Sequence, residues 1–208
     1  MIPSTIDDAT LLSRWQAGDR EAGGLIFDRH HEAIIRFFRN KVDDAFRDDL
    51  IQQTFVAAQT ANFAGKSALR TWLIAIAWRR LANFLRGEAR RTKREERAFG
   101  TESIATMGQS PESYFVMEQE RRLLLEGLRR IPLNHQVVLE LHYWEEMTGQ
   151  EISNALEIPL GTIKTRLRDG RLHLNKVLAE IADSVEVLRS TVDNLEKWAK
   201  RSKVNLTS

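Results

Sequence analysis

The residues best suited to carry out chemistry lie on a predicted helix that follows Pro159. Ile163 and Leu167 are four positions apart and mark the buried face of this helix, so the polar side chains around them point outward. Arginine and lysine bond guanine edges and phosphates, and threonine reaches either a base or the backbone. The outward side chains are therefore candidate DNA contacts, namely Lys164, Thr165, Arg166, Arg168 and Arg171.

A shorter predicted helix positions the helix that bears these cations. Thr148 is its predicted N-cap, and Glu151 three residues later completes a capping box. The helix ends at Glu157, because the residue before Pro159 is driven toward an extended conformation. The next helix begins at Gly161-Thr162, with Thr162 as its predicted cap or with the boundary one residue earlier. This order favours a helix-turn-helix that reads the major groove, and the alternative is a solvated amphipathic helix whose charges contact nothing.

Positive charge is concentrated in two separate segments, although the chain as a whole is nearly neutral. Lysine and arginine number 31 against 29 aspartate and glutamate residues, for a net charge of +2. Residues 70–97 hold nine bases and three acids, and residues 160–176 hold five bases and one acid. Two basic patches in one chain predict two contacts with a polyanion.

Composition excludes several classes of site. The chain has no cysteine, which removes disulfides, zinc–cysteine sites, thiol nucleophiles and iron–sulfur clusters. His30 and His31 are adjacent and point about 100° apart on a helix, so they are poorly placed to share a metal ion. Asp48 and Asp49 have no accompanying nucleophile or glycine-rich phosphate loop. We therefore expect no catalytic residue, no metal and no cofactor, and a protein that is not an enzyme.

The composition is typical of a globular protein that folds around an apolar core in water. Hydrophobic residues make up 42% of the 208 residues and charged residues 29%, enough apolar content to form a core. No apolar run approaches the roughly 18–20 residues that span a bilayer. The first ten residues lack the basic and apolar stretches of a signal peptide. We expect a cytoplasmic protein without membrane insertion.

Apolar spacing predicts an all-α fold of two helical domains. Strand-like alternation is absent, and steps of three and four residues predict three amphipathic helices before residue 87. Their predicted inner faces are Leu25, Phe27, Ile34, Phe37 and Phe38, then Leu50, Ile51, Phe55 and Ala58, then Leu69, Trp72, Leu73, Ile76 and Phe84. Residues 1–90 form the first predicted domain and residues 119–178 the second.

Two segments lie outside these domains. Residues 91–118 are polar and lack a sustained apolar stripe, which is typical of a flexible linker; the alternative is that Arg90 to Arg97 extends the preceding helix. Residues 179–208 form a C-terminal extension, predicted to be helical. From Leu174 to Ala199 its apolar residues step by three and four, which predicts a seam that either folds back on its own domain or acts as a regulatory helix.

Two stretches of the sequence resemble one family. The segment DDLIQQTFVAAQ with the following ALRTWLIAIAWRRLANFLR is similar to region 2 of bacterial RNA polymerase sigma factors of the sigma-70 family, extracytoplasmic-function (ECF) group. The segment IPLNHQVVLELHYWEEMTGQEISNALEIPLGTIKTRLRDGRLHL is similar to region 4. Both occur in the family's order, and the resemblance covers residues 11–178. It implies a transcription initiation factor whose partners are core RNA polymerase, through its β and β′ subunits, and promoter DNA.

The resemblance also implies roles for individual residues. The polymerase-docking positions are Asp48, Asp49, Leu50, Gln52 and Phe55. The positions implied for the −10 element are Asn62, Phe63, Lys66, Ser67, Arg70, Arg79, Arg80 and Asn83. Those implied for the −35 element are Thr162, Lys164, Thr165, Arg166, Arg168 and Arg171. The alternative function is a polymerase-independent helix-turn-helix regulator, dimeric through the C-terminal seam.

Departures from the family pattern raise questions of regulation. Gln53 stands where relatives often have an acid, so the docking surface is expected to be less negative than usual. In some relatives a phosphothreonine in this region restores the charge, which makes Thr54 and Thr60 candidate kinase sites. Asp169 stands where many relatives carry a base, which predicts weaker phosphate affinity. Control by an anti-sigma factor, by a Ser/Thr kinase or by the C-terminal helix is left open by the sequence.

Overall fold

The computed structural model describes residues 6–99 and 119–182. The chain divides into two compact units, Met1–Gln109 and Ser110–Ser208. Across the described residues there are eight α-helices and no strand, so the all-α prediction is confirmed. The first unit contains α1 (Asp8–Gln16), α2 (Arg20–Arg39), α3 (Asp44–Thr60) and α4 (Leu69–Phe99). The second contains α5 (Gln119–Arg130), α6 (Leu133–Tyr143), α7 (Gly149–Leu156) and α8 (Leu160–Ile181).

The predicted inner faces of α3 and α4 are largely correct. All four predicted residues of α3 are buried, as are Leu69, Leu73 and Ile76 of α4. Trp72 is only half-buried, and its ring lies against that of Phe63, with centroids 5.2 Å apart. On α2 the prediction holds for Ile34, Phe37 and Phe38 but is wrong for Phe27, which is 40% exposed. Four helices that bury these faces against one another form the core of the first unit.

Two bounds differ from the sequence expectation. Helix α4 continues to Phe99, so the segment from Arg90 to Arg97 extends the helix and does not begin a linker at residue 91. Helix α8 ends at Ile181, where Ala182 takes an extended conformation (φ −75°, ψ 129°). The predicted C-terminal seam beyond residue 182 lies outside the described residues.

Helix α8 organises the second unit. Its buried residues Leu174 and Leu178 join Leu124 and Leu128 of α5 and Leu139 of α6 in one apolar cluster. The helices come close together at two glycines, Gly127 of α5 and Gly170 of α8. A Cβ on Gly127 would lie 2.8 Å from Leu178, and one on Gly170 would lie 3.2 Å from the Cβ of His135. Helix α8 therefore packs closely against α5 at Gly127 and against α6 at Gly170.

A similar close contact fixes α1 on α2. Gly23 is buried under the Trp15 ring, and a Cβ at this position would stand 2.4 Å from the ring atom Cδ1. The neighbouring Gly24 is exposed and has open space at its Cβ position. The two adjacent glycines therefore differ in what they do, because only Gly23 makes room for the indole.

We expect Gly23→Ala to destabilise the first unit by about 1–3 kcal/mol, because the rigid ring must move to admit the methyl group. Gly24→Ala is the matched control. It should stabilise α2 by up to about 1 kcal/mol, because alanine is the better helix former and nothing obstructs it. Urea unfolding, together with hydrogen exchange of the α2 amides, measures the change in unfolding free energy for both variants. Equal stability of the two variants would show that the Trp15 contact does not constrain the chain.

His30 is a buried titratable residue of α2 that faces the start of α1. Its Nε2 lies 2.8 Å from Oδ2 of Asp8, and Arg29 Nη1 donates to the other carboxylate oxygen at 2.8 Å. Burial lowers the pKa of His30 below its usual value, although the Asp8 carboxylate acts in the opposite direction. The folded unit therefore favours the neutral imidazole.

This shift predicts that acid weakens the first unit. The unfolded chain protonates His30 near pH 6.5 and the folded chain only at lower pH, so protons favour unfolding. Stability should be unaffected by this group above about pH 7 and should fall as the pH drops from about 6.5 toward the folded pKa. His30→Gln should flatten this dependence, as measured by amide exchange in α2 at pH 7.5, 6.5 and 5.5. An unchanged pH profile in His30→Gln would assign the dependence to other groups.

Candidate functional site

The helix-turn-helix has the predicted capping. Thr148 Oγ1 accepts from the Glu151 backbone N–H at 3.2 Å, and Glu151 Oε2 accepts from the Thr148 backbone N–H at 2.8 Å. The Thr148 hydroxyl also donates to Glu151 Oε2 at 2.8 Å, and the two hydrogen bonds that the carboxylate accepts from Thr148 lower the pKa of Glu151. The start of α8 was predicted too late, since the helix begins at Leu160 with Pro159 as its cap residue. Thr162 is therefore an exposed first-turn residue and not the cap.

The turn between α7 and α8 is held in a left-handed conformation. Glu157 closes α7 with φ 58° and ψ 41°, and the Ser153 hydroxyl donates to the Ile158 carbonyl at 2.6 Å. Left-handed backbone brings Cβ too close to the next carbonyl in any residue but glycine. The tight turn that aims α8 is therefore strained at Glu157.

The outward face of α8 matches the sequence prediction with one exception. Lys164, Thr165, Arg168 and Arg171 are exposed, while Arg166 is half-buried beside the packed face of the helix. Ile163 is fully buried, which fixes this rotation of the helix. The exposed cations and threonines form one surface, which we call the α8 face: Thr162, Lys164, Thr165, Arg168 and Arg171.

Two of these cations are already engaged within the unit. Arg168 Nε donates to Oδ1 of Asp169 at 2.9 Å, so part of its charge is neutralised by its own neighbour. The Arg171 guanidinium lies 5.5 Å from the centre of the Tyr143 ring, a cation–π contact. Lys164 projects from the first part of α8, where helix-turn-helix proteins contact base edges.

A substitution that relieves the backbone strain at Glu157 tests this turn geometry. We expect Glu157→Gly to stabilise the second unit by about 1 kcal/mol, because glycine adopts the left-handed conformation without the Cβ clash. Glu157→Ala should give no such gain, since alanine retains Cβ. Thermal unfolding of each variant, together with the amide exchange of α7 and α8, distinguishes Glu157→Gly from Glu157→Ala. A gain in both variants would assign the effect to the lost charge and not to the backbone.

The first unit carries a second polar face, on α4, which we call the α4 face: Arg79, Arg80 and Asn83. Arg79 and Asn83 are exposed, Arg80 is half-buried, and Asn83 Oδ1 accepts a hydrogen bond from Arg86. Arg70, also predicted to contact the −10 element, does not lie on this face. Arg70 precedes Arg79 by nine residues, a rotation of 180°, and its Nε and Nη2 atoms are buried on the side of His30.

The loop between α3 and α4 supplies further polar groups. Asn62 and Lys66 are exposed, and Gly65 turns the chain with a positive φ of 67°. Ser67 is half-buried, with its hydroxyl 3.3 Å from the Ala68 carbonyl. Phe63 anchors the loop on Trp72. Short polar side chains displayed on an aromatic anchor suit the capture of an unstacked base.

An apolar groove lies beside α3. Its lining residues come from α1, α2 and α3 and are Trp15, Phe27, His31, Asp48, Ile51, Gln52, Phe55, Val56 and Gln59. Phe27 stacks on His31 at 4.2 Å and tilts against Phe55 at 4.9 Å. Phe27 and Val56 are 40% and 57% exposed, which is unusual for such side chains in a charged surface. We call this surface the α3 groove.

The α3 groove accounts for some of the predicted docking residues only. Asp48, Gln52 and Phe55 line it, whereas Leu50 is 3% exposed and belongs to the core, so its assignment as a docking residue is corrected. Asp49 is exposed and accepts from Gln53 Nε2 at 2.7 Å. Sequence reasoning missed Phe27 and Val56, because the apolar spacing of α2 assigned Phe27 to the interior.

The structure separates the two predicted phosphorylation sites. Thr54 is fully buried, and its hydroxyl donates to the Leu50 carbonyl at 2.7 Å. A phosphoryl group has no room there while α3 stays folded, so the assignment of Thr54 is corrected. Thr60 is exposed at the end of α3 and stays a prediction.

Sequence families match both units. The family described as "Sigma-70 region 2" matches residues 26–91, and "Sigma-70, region 4" matches residues 121–174. The first match contains the α3 groove residues of α2 and α3 and the α4 face, and the second contains the α8 face. Both matches occur in one chain, in the order of the family.

The chain belongs to the sigma-70 family. Its curated relatives include the ECF RNA polymerase sigma-E factors of Escherichia coli K12 and Salmonella typhimurium LT2. Each is 25% identical over 170 residues, which is 78% of this chain and 89% of the relative. The sigma-E factor of Haemophilus influenzae is 24% identical over the same length. The protein is thus a sigma factor of the ECF group, and sigma factors act in transcription initiation.

Solved structures share the fold. CnrH, in a complex with the cytosolic domain of CnrY, superposes with a TM-score of 0.60 and 22% identity over 85% of this chain and 99% of that one. The sigma factor RpoE of Bartonella quintana, in a complex with the anti-sigma factor NepR, gives 0.54 and 21% over 73% and 92%. In the described part of this sigma factor, no helix combines the length and apolar composition of a membrane span.

Proposed function

We propose that this sigma factor joins core RNA polymerase through the α3 groove and holds a promoter at two places. The α4 face and the loop before it bind the melted −10 strand, and the α8 face binds the −35 element as duplex DNA. The observation that carries this proposal is the match of both sigma-70 regions to units that each display exposed cations on a helix with a buried opposite face.

The chemistry of the α3 groove fits a protein partner. Burial of apolar surface is the dominant favourable term in most protein association, and Phe27 and Val56 offer that surface. Asp48, 87% exposed at its side chain, and Gln52 form a polar rim around it. An apolar centre with a polar rim is the usual anatomy of a protein interface.

The chemistry of the other two surfaces fits nucleic acid. Lys164 and Arg79 present charge to phosphates, while Asn83, Asn62 and Thr165 offer donors and acceptors for base edges. The Thr165 hydroxyl donates to the Gly161 carbonyl at 3.1 Å, so its oxygen remains available as an acceptor. Each surface is small, so the isolated protein should bind promoter DNA weakly and polymerase should bring the two contacts together.

The proposal extends to control and location. The two solved proteins of similar fold, CnrH and the sigma factor RpoE, were each obtained with a partner protein, which is named as an anti-sigma factor for RpoE. We propose that an anti-sigma factor competes for the α3 groove here. We further propose a cytoplasmic protein that contributes no catalytic group and leaves the chemistry of RNA synthesis to the polymerase.

Run-off transcription with purified core polymerase tests the proposed function. The full chain should add promoter-specific initiation to core that has none, and mapping of transcript starts after forced expression should return two conserved elements upstream. A polymerase-independent regulator would bind DNA without core and would leave initiation by core unchanged. That outcome would reject the proposal.

A single charge in the groove should break polymerase binding. We expect Val56→Asp to weaken association with core by roughly tenfold or more, because an unpaired carboxylate would be buried in the interface. Since Val56 is exposed, the thermal stability of the free protein should hardly change. Ser13→Asp, exposed on α1 outside the groove, is the control. Equal binding of core by both variants would place the docking surface elsewhere.

A further inference from the structure

Two histidines from different helices meet at the surface of the second unit. His135 lies in the first turn of α6, and His173 lies in the second half of α8. Their Nδ1 atoms are 3.0 Å apart, and the centroids of their rings are 5.0 Å apart. In a hydrogen bond between two Nδ1 atoms one ring donates and the other accepts, and only an unprotonated nitrogen accepts. The bond therefore exists while at least one ring is neutral. We call these two residues the imidazole pair.

The imidazole pair joins α6 and α8 where the two helices pack closely. Arg166, Gly170 and His173 follow one another in steps of four and three residues, so they form one stripe of α8. Gly170 is buried in this stripe, and a Cβ added to it would lie 3.2 Å from the Cβ of His135. His135 is half-buried beside this glycine, whereas His173 is exposed and within reach of solvent protons. The pair thus connects protonation at the surface to the contact between the two helices.

The surroundings of His135 disfavour a second proton on the pair. Among the described residues, the charged or titratable groups that act on His135 all lie on α8 and are His173, Asp169 and Arg166. Burial is the largest effect and lowers the pKa of His135, and charge on His173 lowers it further. Asp169 acts in the opposite direction, and Arg166 lowers the pKa again. In the first turn of α6 the positive end of the helix dipole also disfavours a cation.

We propose that the imidazole pair is a proton-sensitive contact, which holds α8 on α6 near neutral pH and is lost when both rings are protonated. The first proton is compatible with the hydrogen bond, since a charged ring still donates its Nδ1–H to a neutral partner. The second proton makes both Nδ1 atoms donors, so that two like charges face each other across 3.0 Å. Acid therefore loosens the packing of the helix that carries the α8 face.

The sign of the effect on stability follows from the position of the pair. The unfolded chain protonates both histidines near pH 6.5, whereas the folded unit takes up the second proton only at lower pH, so protons favour unfolding. This contribution is absent above about pH 7 and grows as the pH falls below about 6.5.

His142 provides a matched control on the same helix as His135. Its Nδ1 lies 3.0 Å from the Met147 carbonyl, and it is half-buried. A carbonyl oxygen accepts from a neutral or a charged ring alike, so protonation of His142 does not break its bond. Loss of the His142 ring should therefore leave the acid sensitivity of the unit in place.

Hydrogen exchange of the full-length protein at pH 7.5, 6.5 and 5.5 tests the inference. Dividing each exchange rate by the intrinsic rate at the same pH gives the opening constants of α6 and α8. In the wild type these constants should rise roughly threefold or more from pH 7.5 to 5.5, because one unit of pKa shift corresponds to about tenfold in the equilibrium. His173→Gln should lose most of this rise, since an amide both donates and accepts and does not titrate. His142→Gln should retain it.

Several outcomes would overturn the inference. A flat wild-type profile contradicts it, as does a profile that is equally steep in His173→Gln. Equal flattening in His142→Gln also contradicts it, because loss of any histidine would then have the same effect. The α2 amides report the separate response of His30 and should be unchanged in both variants.

The ring resonances of His135 give a second readout that does not depend on stability. His135 should titrate at a higher pH in His173→Gln than in the wild type, because the neighbouring positive charge is gone. An unchanged midpoint would show that the two rings do not interact. Neither measurement needs core polymerase or DNA, so failure of the proposed function would leave both results as they are.

Discussion

The rotation of 100° per residue along an α-helix is the constraint on which the binding surfaces depend. On α4 the buried residues Leu73, Ala77 and Leu81 fix one side of the helix against the core. That choice turns Arg79 and Asn83 outward and turns Arg70 inward, toward His30. The apolar residues that pack into the core thus decide which cations of α4 are exposed to DNA. A shift of the apolar pattern by one residue would rotate Arg79 and Asn83 by about 100°.

Helix α8 obeys the same constraint under tighter packing. Ile163, Gly170 and Leu174 share its inner side, and Gly170 lies so close to His135 and Leu139 that a side chain there would meet them. A recognition helix held in this way loses little orientational freedom when it meets DNA. Rigid placement of this kind lowers the entropic cost of binding. The strained backbone at Glu157 is tolerated because the elements on both sides of it are fixed. Helix α7, with its capping box, precedes the turn, and the packed helix α8 follows it.

Much of the fold could be predicted from the sequence, because local signals and core packing agree. The capping box of Thr148 and Glu151 and the buried side of α3 follow from residue type and spacing alone. The errors arise where tertiary contact decides. Phe27 fits the apolar spacing of α2 but faces a groove made by three helices, and Leu50 adjoins two acids that were predicted to dock but itself faces the core. The inward position of Arg70 was available from helical periodicity and did not need the structure.

The exposed apolar side chains of the α3 groove and the exposed cations of α4 and α8 impose different demands on the free protein. Phe27 and Val56 would stabilise the fold more if they were buried, and in the proposed function a protein partner covers them. The cations cost little in water but give weak, salt-sensitive binding when each surface acts alone. Joining the groove to a larger body that also holds the DNA converts two weak contacts into one strong one, since the second contact is then intramolecular. If the α3 groove docks on polymerase as proposed, the two modest cationic faces are suited to bind promoters only after the chain has joined core.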